Sequence, residues 1–98
     1  MVKRKGNDVM IDLNYITERI KDSEKKRGWD NTTTNELLSR IGEEIGIIKR
    51  TTDKDILDNK VTDVFILSLQ LAIRNNVNLE SEFRKHVENW DKKYPVIE

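Results

Sequence analysis

Two adjacent carboxylates, Glu43 and Glu44, occur in a predicted helix, and the second of them lies at the border between its apolar and polar sides. At about 100° per residue, with Leu37 taken as zero, Glu44 falls at about 340°, next to the apolar face. Burying an unpaired carboxylate costs several kcal/mol, so Glu44 must meet a cation, a metal ion or water. An ion pair at the edge of the core is the simplest of these, and metal binding is the alternative.

The same helix carries an exchange of residue types. Ile47 falls at about 280° and Glu43 at about 240°, so an apolar side chain lies among charged ones while Glu44 leans inward. This reverses the usual amphipathic assignment and is the most informative local feature of the helix.

Lys60 and Asp63 form a second charged pair, immediately before the most apolar stretch of the chain. Because they are three residues apart, they share one face of a helix, and a local ion pair is their simplest role.

Cysteine and histidine, the other residue types that commonly act in catalysis or metal binding, give no indication of a site. Cysteine is absent, which excludes disulfides, thiolate zinc sites and a cysteine nucleophile, and we expect a cytoplasmic location. His86, the only histidine, lies among Arg84, Lys85 and Glu88. We expect it to be a solvated surface residue and not a general base.

Two helices are predicted in the first half of the chain. The first has apolar residues at steps of three or four and fades near Gly28, and the second begins at a capping box formed by Thr33 and Glu36 and ends near Arg50. Their apolar positions are Val9, Leu13, Ile16 and Ile20, then Leu37, Leu38, Ile41, Ile45 and Ile48.

Two more helices are predicted in the second half. The segment from about Asp55 to Arg74 could contain a buried strand over 64–71, but the chain offers no second run of β-branched and aromatic residues to pair with it. Asn78 is predicted to cap a last helix, which Pro95 ends. The apolar stripe of this helix is Leu79, Phe83, Val87, Trp90 and Tyr94.

We therefore expect an all-α four-helix bundle, with the third helix, which is apolar nearly all round, at its centre or at a subunit interface. The 98 residues fit one domain, 1–98, with 1–7 as a frayed terminus.

The charges of eighteen basic and eighteen acidic residues cancel, so the formal net charge is zero. Nucleic acid and membranes are therefore not expected partners, and a nucleic-acid adaptor rests only on the basic residues 3–5 and 92–93. No apolar stretch approaches the ~20 residues of a membrane span.

Read from end to end, four segments resemble the MazG-like nucleoside triphosphate pyrophosphohydrolases. They are RGWD at 27–30, LLSRIGEEIG at 37–46, DVFI at 63–66 and KKYP at 92–95. In that family one helix carries Glu-Glu-x-x-Glu, a later one carries Glu-x-x-Asp, and these acids hold magnesium ions on the triphosphate. The resemblance implies an all-α fold, Mg²⁺ or Mn²⁺ as cofactor, a nucleoside triphosphate as substrate, and a homodimer or homotetramer.

Residue by residue, three of the five acids of the family's motif are present. Glu43 and Glu44 match its first two acids and Asp63 its last, so these three are the implied metal ligands and catalytic residues. Ile47 and Lys60 stand where two further glutamates belong. The Lys60 ammonium would occupy the space of a divalent cation and repel it. We predict that Lys60 pairs with Glu44 and Asp63 in place of the metal.

The resemblance also implies that Trp29, Lys93 and Tyr94 contact the substrate. Trp29 would stack on a base, although a tryptophan just before a helix is also a common packing anchor. Lys93 would contact phosphate, although near a helix end it also complements the helix dipole. Trp90 stands where the family often carries an asparagine.

These residues are consistent with two alternative functions. One is hydrolysis of a nucleoside or deoxynucleoside triphosphate to the monophosphate and pyrophosphate, with catalysis weak or lost because two ligands are replaced. The alternative is a non-catalytic homo-oligomeric module, for nucleotide sensing or protein interaction, on the same fold.

Overall fold

The computed structural model describes residues 12–94 and residue 97. This part of the chain contains no strand and forms four helices, which are α1 (Leu13–Arg27), α2 (Thr34–Arg50), α3 (Lys54–Arg74) and α4 (Leu79–Lys93). The predicted all-α fold of four helices is confirmed, and the run 64–71 is helical. The predictions for Val9, Pro95, the terminus 1–7 and the basic residues 3–5 lie outside the described residues.

A capping side chain precedes each helix and accepts a hydrogen bond from a free backbone N–H of its first turn. At α2 the Thr33 hydroxyl accepts from the Glu36 N–H at 3.1 Å, and the Glu36 carboxylate accepts from the Thr33 N–H at 2.9 Å. The predicted capping box is therefore present. The bond from the Thr33 backbone lowers the pKa of Glu36, and the Thr33 hydroxyl lowers it further. The caps of the other three helices are Asp12, Asp53 and Asn78.

Gly28 ends α1 in the left-handed region, at φ 70°, where a side chain would be strained. The Trp29 N–H donates to the Glu24 carbonyl at 2.9 Å, which completes the turn with bonds back onto the last carbonyls of the helix. This turn directs the chain towards α2 and determines where Trp29 lies.

The core is centred on α3, which packs against both α1 and α2, while α4 packs against α1. The buried apolar residues are Leu37, Leu67, Leu69 and Ala72. Three of these four belong to α3, so the predicted central position of this helix is confirmed. Among the described helices, none has the length and hydropathy needed to cross a bilayer.

The inward face of α2 is rotated from the predicted one towards Glu44. Leu38 and Ile45, predicted to be core residues, are 49% and 44% exposed. The apolar and acidic positions of α2 that are buried or half-buried are Leu37, Ile41, Glu44, Ile47 and Ile48. The prediction was wrong here because periodicity weights every apolar residue equally, whereas α3 covers only part of the apolar surface of α2.

The apolar stripe of α4 is only partly covered. Leu79 and Val87 are half-buried, but Phe83, Trp90 and Tyr94 are 62%, 57% and 71% exposed. An open groove of about 380 Å³ lies between α3 and α4, with Phe65, Leu69, Phe83 and Trp90 among its lining residues.

Candidate functional site

An open pocket of about 340 Å³ lies between α2 and α3. Three of its lining residues are the predicted acids and a fourth is the predicted stacking residue, so one site contains side chains separated by more than thirty positions in sequence. The complete lining is Trp29, Arg40, Glu43, Glu44, Asp63, Ile66, Leu67 and Gln70. Ile47 does not line the pocket.

Lys60 connects the two helices at the edge of this pocket. Its Nζ lies 3.2 Å from Oε1 of Glu44 and 3.5 Å from Oδ2 of Asp63. The side chains of Lys60 and Glu44 are 25% and 16% exposed, so the contact is partly shielded from water. The ion network predicted for these three residues is present.

The network stabilises the charged form of the lysine. The hydrogen bond to Glu44 raises the pKa of Lys60 most, and the charge of Glu44 and the contact with Asp63 raise it further against the opposing effect of burial. Lys60 is therefore an ammonium at neutral pH.

The magnesium ion implied by the family resemblance does not fit this arrangement. Glu44 and Asp63 each give one oxygen to Lys60, and the ammonium would repel a divalent cation placed between them. Within residues 12–94 and residue 97, no group of three acidic, histidine or cysteine side chains is placed to hold a metal ion. Hard divalent cations need several oxygen ligands, and this arrangement does not supply them.

A second polar network lies beside the first and was not predicted. Glu24 is 2% exposed, and its two oxygens accept hydrogen bonds from Arg74 at 3.1 and 2.6 Å. Gln70 Nε2 donates a third bond to Glu24, at 2.8 Å. The hydrogen bond to Glu24 is the main cause that raises the pKa of Arg74 above its ordinary value, and the charges of Glu24 and Asp30 raise it further against the opposing effect of burial.

Arg74 also fixes the connection between α1 and α2. It donates to the carbonyl oxygens of Trp29 and Thr32, at 2.8 and 2.6 Å. One guanidinium therefore joins the end of α1, the connection that carries Trp29, and α3. The sequence holds a signal for this network, since Glu24 continues the four-residue step from Ile16 and Ile20, and Gln70 is one of two polar residues, with Ser68, in the apolar run 64–73.

Trp29 lines the pocket with 52% of its surface exposed. The Arg27 guanidinium lies over its ring, 5.7 Å from the ring centroid, in cation–π geometry. The aromatic surface that remains accessible is suited to stacking on a planar ligand.

The other two predicted substrate contacts are not at this site. Lys93 and Tyr94 lie at the end of α4, are exposed, and do not line the pocket. Sequence reasoning also missed Arg40, which lines the pocket from α2 and brings a second cation to it.

Compared with known proteins, the chain matches no family model, no curated protein and no solved structure.

Proposed function

We propose that this chain is a MazG-like helical domain that binds a nucleotide between α2 and α3, and that Lys60 has replaced the divalent cation of the family. The contact of Lys60 with both Glu44 and Asp63 carries this proposal. The order of the four family-like segments supports it, and so does the pairing of the two acidic helices around one pocket. Metal-dependent pyrophosphohydrolysis is then weak or absent.

The charge of the site determines how many phosphate groups a bound nucleotide should carry. Three carboxylates, Glu43, Glu44 and Asp63, face two cations, Arg40 and Lys60, which leaves one net negative charge. Without a divalent cation, each further phosphate adds repulsion that Arg40 alone does not offset. We therefore expect nucleoside monophosphates to bind more tightly than triphosphates in metal-free solution.

An active pyrophosphohydrolase is the second candidate. Its support is that Glu43, Glu44 and Asp63 all line the same pocket. The enzyme would convert a nucleoside or deoxynucleoside triphosphate to the monophosphate and pyrophosphate, and Lys60 would have to leave its two partners.

We also propose that the domain forms a homodimer through the groove between α3 and α4. Phe65, Phe83 and Trp90 line this groove and are each about half exposed. Contiguous apolar surface of this kind is typical of a subunit interface, which buries about 800 Å² on each partner. A second copy would bring an identical apolar groove, as an interface with twofold symmetry requires.

Nucleotide titrations followed by ¹H–¹⁵N NMR in EDTA test the binding proposal. We expect monophosphates to shift the amides around the pocket, and Trp29→Leu to weaken binding by about 1–3 kcal/mol through loss of stacking. Trp90→Leu is the matched control, because this second tryptophan lies outside the pocket. Absence of any shift with all common nucleotides would rule the proposal out.

Pyrophosphate release separates the two candidates. With Mg²⁺ or Mn²⁺ and a panel of deoxynucleoside triphosphates, the wild type should release pyrophosphate slowly or not at all. Rapid release that Asp63→Ala abolishes would favour the enzyme.

A further inference from the structure

We infer that Gln70 selects the base of the bound nucleotide, by presenting a fixed hydrogen-bond acceptor that favours amino-bearing bases over their keto counterparts. This inference rests on the nucleotide-binding function proposed above. It concerns cytosine and adenine as opposed to uracil and hypoxanthine.

The orientation of the Gln70 amide follows from its partner. Glu24 is a carboxylate held by two hydrogen bonds from Arg74, and it accepts a further bond from Gln70 at 2.8 Å. A carboxylate offers only acceptors, so the group facing it must be the NH₂ of the amide. The carbonyl oxygen of Gln70 is then the group that remains for a ligand.

The same oxygen is open to the pocket. Gln70 is only 6% exposed, yet it lines the pocket, and among the described residues no donor reaches its Oε1. No fully buried side-chain polar atom in this part of the chain lacks a partner. The Gln70 oxygen is therefore not sealed in the core, and the open volume that Gln70 lines is the pocket.

Gln70 lies at the end of the pocket that a base stacked on Trp29 would occupy. Asp63 and Gln70 are seven residues apart on α3, which is two turns or about 10 Å along the helix. The charged network of Lys60 is at the first of these positions, whereas Gln70 is joined through Glu24 and Arg74 to the connection that carries Trp29. A base stacked on Trp29 would thus meet Gln70, with its phosphate towards Arg40.

The chemistry of the acceptor sets the preference. The 4-amino group of cytosine and the 6-amino group of adenine donate hydrogen bonds, whereas the 4-keto group of uracil and the 6-keto group of hypoxanthine accept them. A keto oxygen facing Gln70 Oε1 would leave two acceptors opposed and both desolvated. Since Glu24 prevents the amide from flipping, Gln70 cannot adapt to the keto base. Glu24 and Arg74 act here as positioning residues.

Two pairs of ligands that differ at a single group test the inference by NMR titration in EDTA. They are cytidine and uridine monophosphate, and adenosine and inosine monophosphate. We expect the wild type to bind the amino member of each pair about tenfold more tightly, the equivalent of one hydrogen bond. Gln70→Met should bring both ratios close to one and should fold, because Glu24 keeps both bonds from Arg74. Ser68→Ala, on α3 but outside this pocket, should retain the wild-type ratios.

The possible results distinguish failure of this inference from failure of the proposed function. Equal binding within both pairs by the wild type would overturn the inference and leave the proposed function standing. Discrimination that persists in Gln70→Met would assign selectivity to another residue and also overturn it. If none of the four monophosphates binds, this inference is overturned, and the proposed function fails as well when the other common nucleotides also give no shift.

Discussion

Lys60 on α3 donates a hydrogen bond from Nζ to Oε1 of Glu44 on α2, over 3.2 Å and across sixteen positions of sequence. The two helices that form the pocket are thus joined by a cation that belongs to the chain itself. A lysine in an acidic pocket provides a single fixed positive charge, without the vacant coordination position that a divalent ion offers.

The proposed replacement of a metal ion by Lys60 should be reversible by mutation. We expect the double variant Ile47→Glu and Lys60→Glu to take up Mn²⁺ stoichiometrically in isothermal titration, because it restores two oxygen ligands and removes the competing ammonium. The wild type should show no such uptake. Ile47→Glu combined with Lys54→Glu has the same net charge and is the control, since Lys54 contacts Asp58 and lies outside the pocket. Tight Mn²⁺ uptake by the wild type would contradict this account of Lys60.

Arg74 should be the most costly charged residue to remove. Arg74→Met leaves Glu24 buried without its cation and two carbonyl oxygens without their donor, so we expect a loss of about 3–5 kcal/mol in urea unfolding. Arg84→Met breaks an exposed pair with Glu80 and should cost no more than about 1 kcal/mol. Similar losses for the two variants would mean that the buried network does not hold the connection in place.

Lys60 should make the free energy of unfolding depend on pH in the alkaline range. Its pKa in the folded state is raised above the ordinary 10.5, mainly by the hydrogen bond to Glu44, so its stabilising contribution is fully present below pH 10.5. The contribution is lost as the pH rises through the folded-state pKa. Urea unfolding should therefore show the wild type losing stability relative to Lys60→Met above pH 10.5. Parallel curves for the two proteins would show that Lys60 is not held as described.

The cap of α2 should have a measurable effect because it begins the helix that carries Glu43 and Glu44. Thr33→Ala removes the acceptor for the Glu36 N–H, and we expect a loss of about 1 kcal/mol in thermal or urea unfolding. Thr62→Ala is the matched control. Its hydroxyl bonds the Asp58 carbonyl within α3, on an exposed face, so the change should stay within about 0.5 kcal/mol.

The groove between α3 and α4 should determine the assembly state. Phe83→Glu places a charge in the apolar groove and should convert a dimer to a monomer in sedimentation velocity. Lys85→Glu, an exposed position of α4 that does not line the groove, should leave the dimer intact. A wild type that is monomeric at high concentration would remove the basis for a symmetric interface.

Local signals predicted the helices well. The Thr33 and Glu36 capping box, the Asn78 cap and the end of α1 at Gly28 depend on contacts within three to five residues, so the sequence contains all their partners. The choice of helix over strand for 64–71 was also correct, because a strand requires a partner that the sequence does not offer. The pairing of Lys60 with Asp63 is of the same local kind.

What the sequence alone determined about this protein is therefore the number, the type and the approximate ends of its helices, and four of the charged residues near the site, Glu43, Glu44, Lys60 and Asp63. Only the tertiary structure decided which faces are covered, that Leu38 and Ile45 are exposed, that Gln70 and Arg40 line the pocket, and that Glu24 meets Arg74 fifty positions away. The physical reason is that caps and periodicity depend on neighbours along one helix, whereas burial and long-range ion pairs depend on how separate helices pack, which periodicity does not encode.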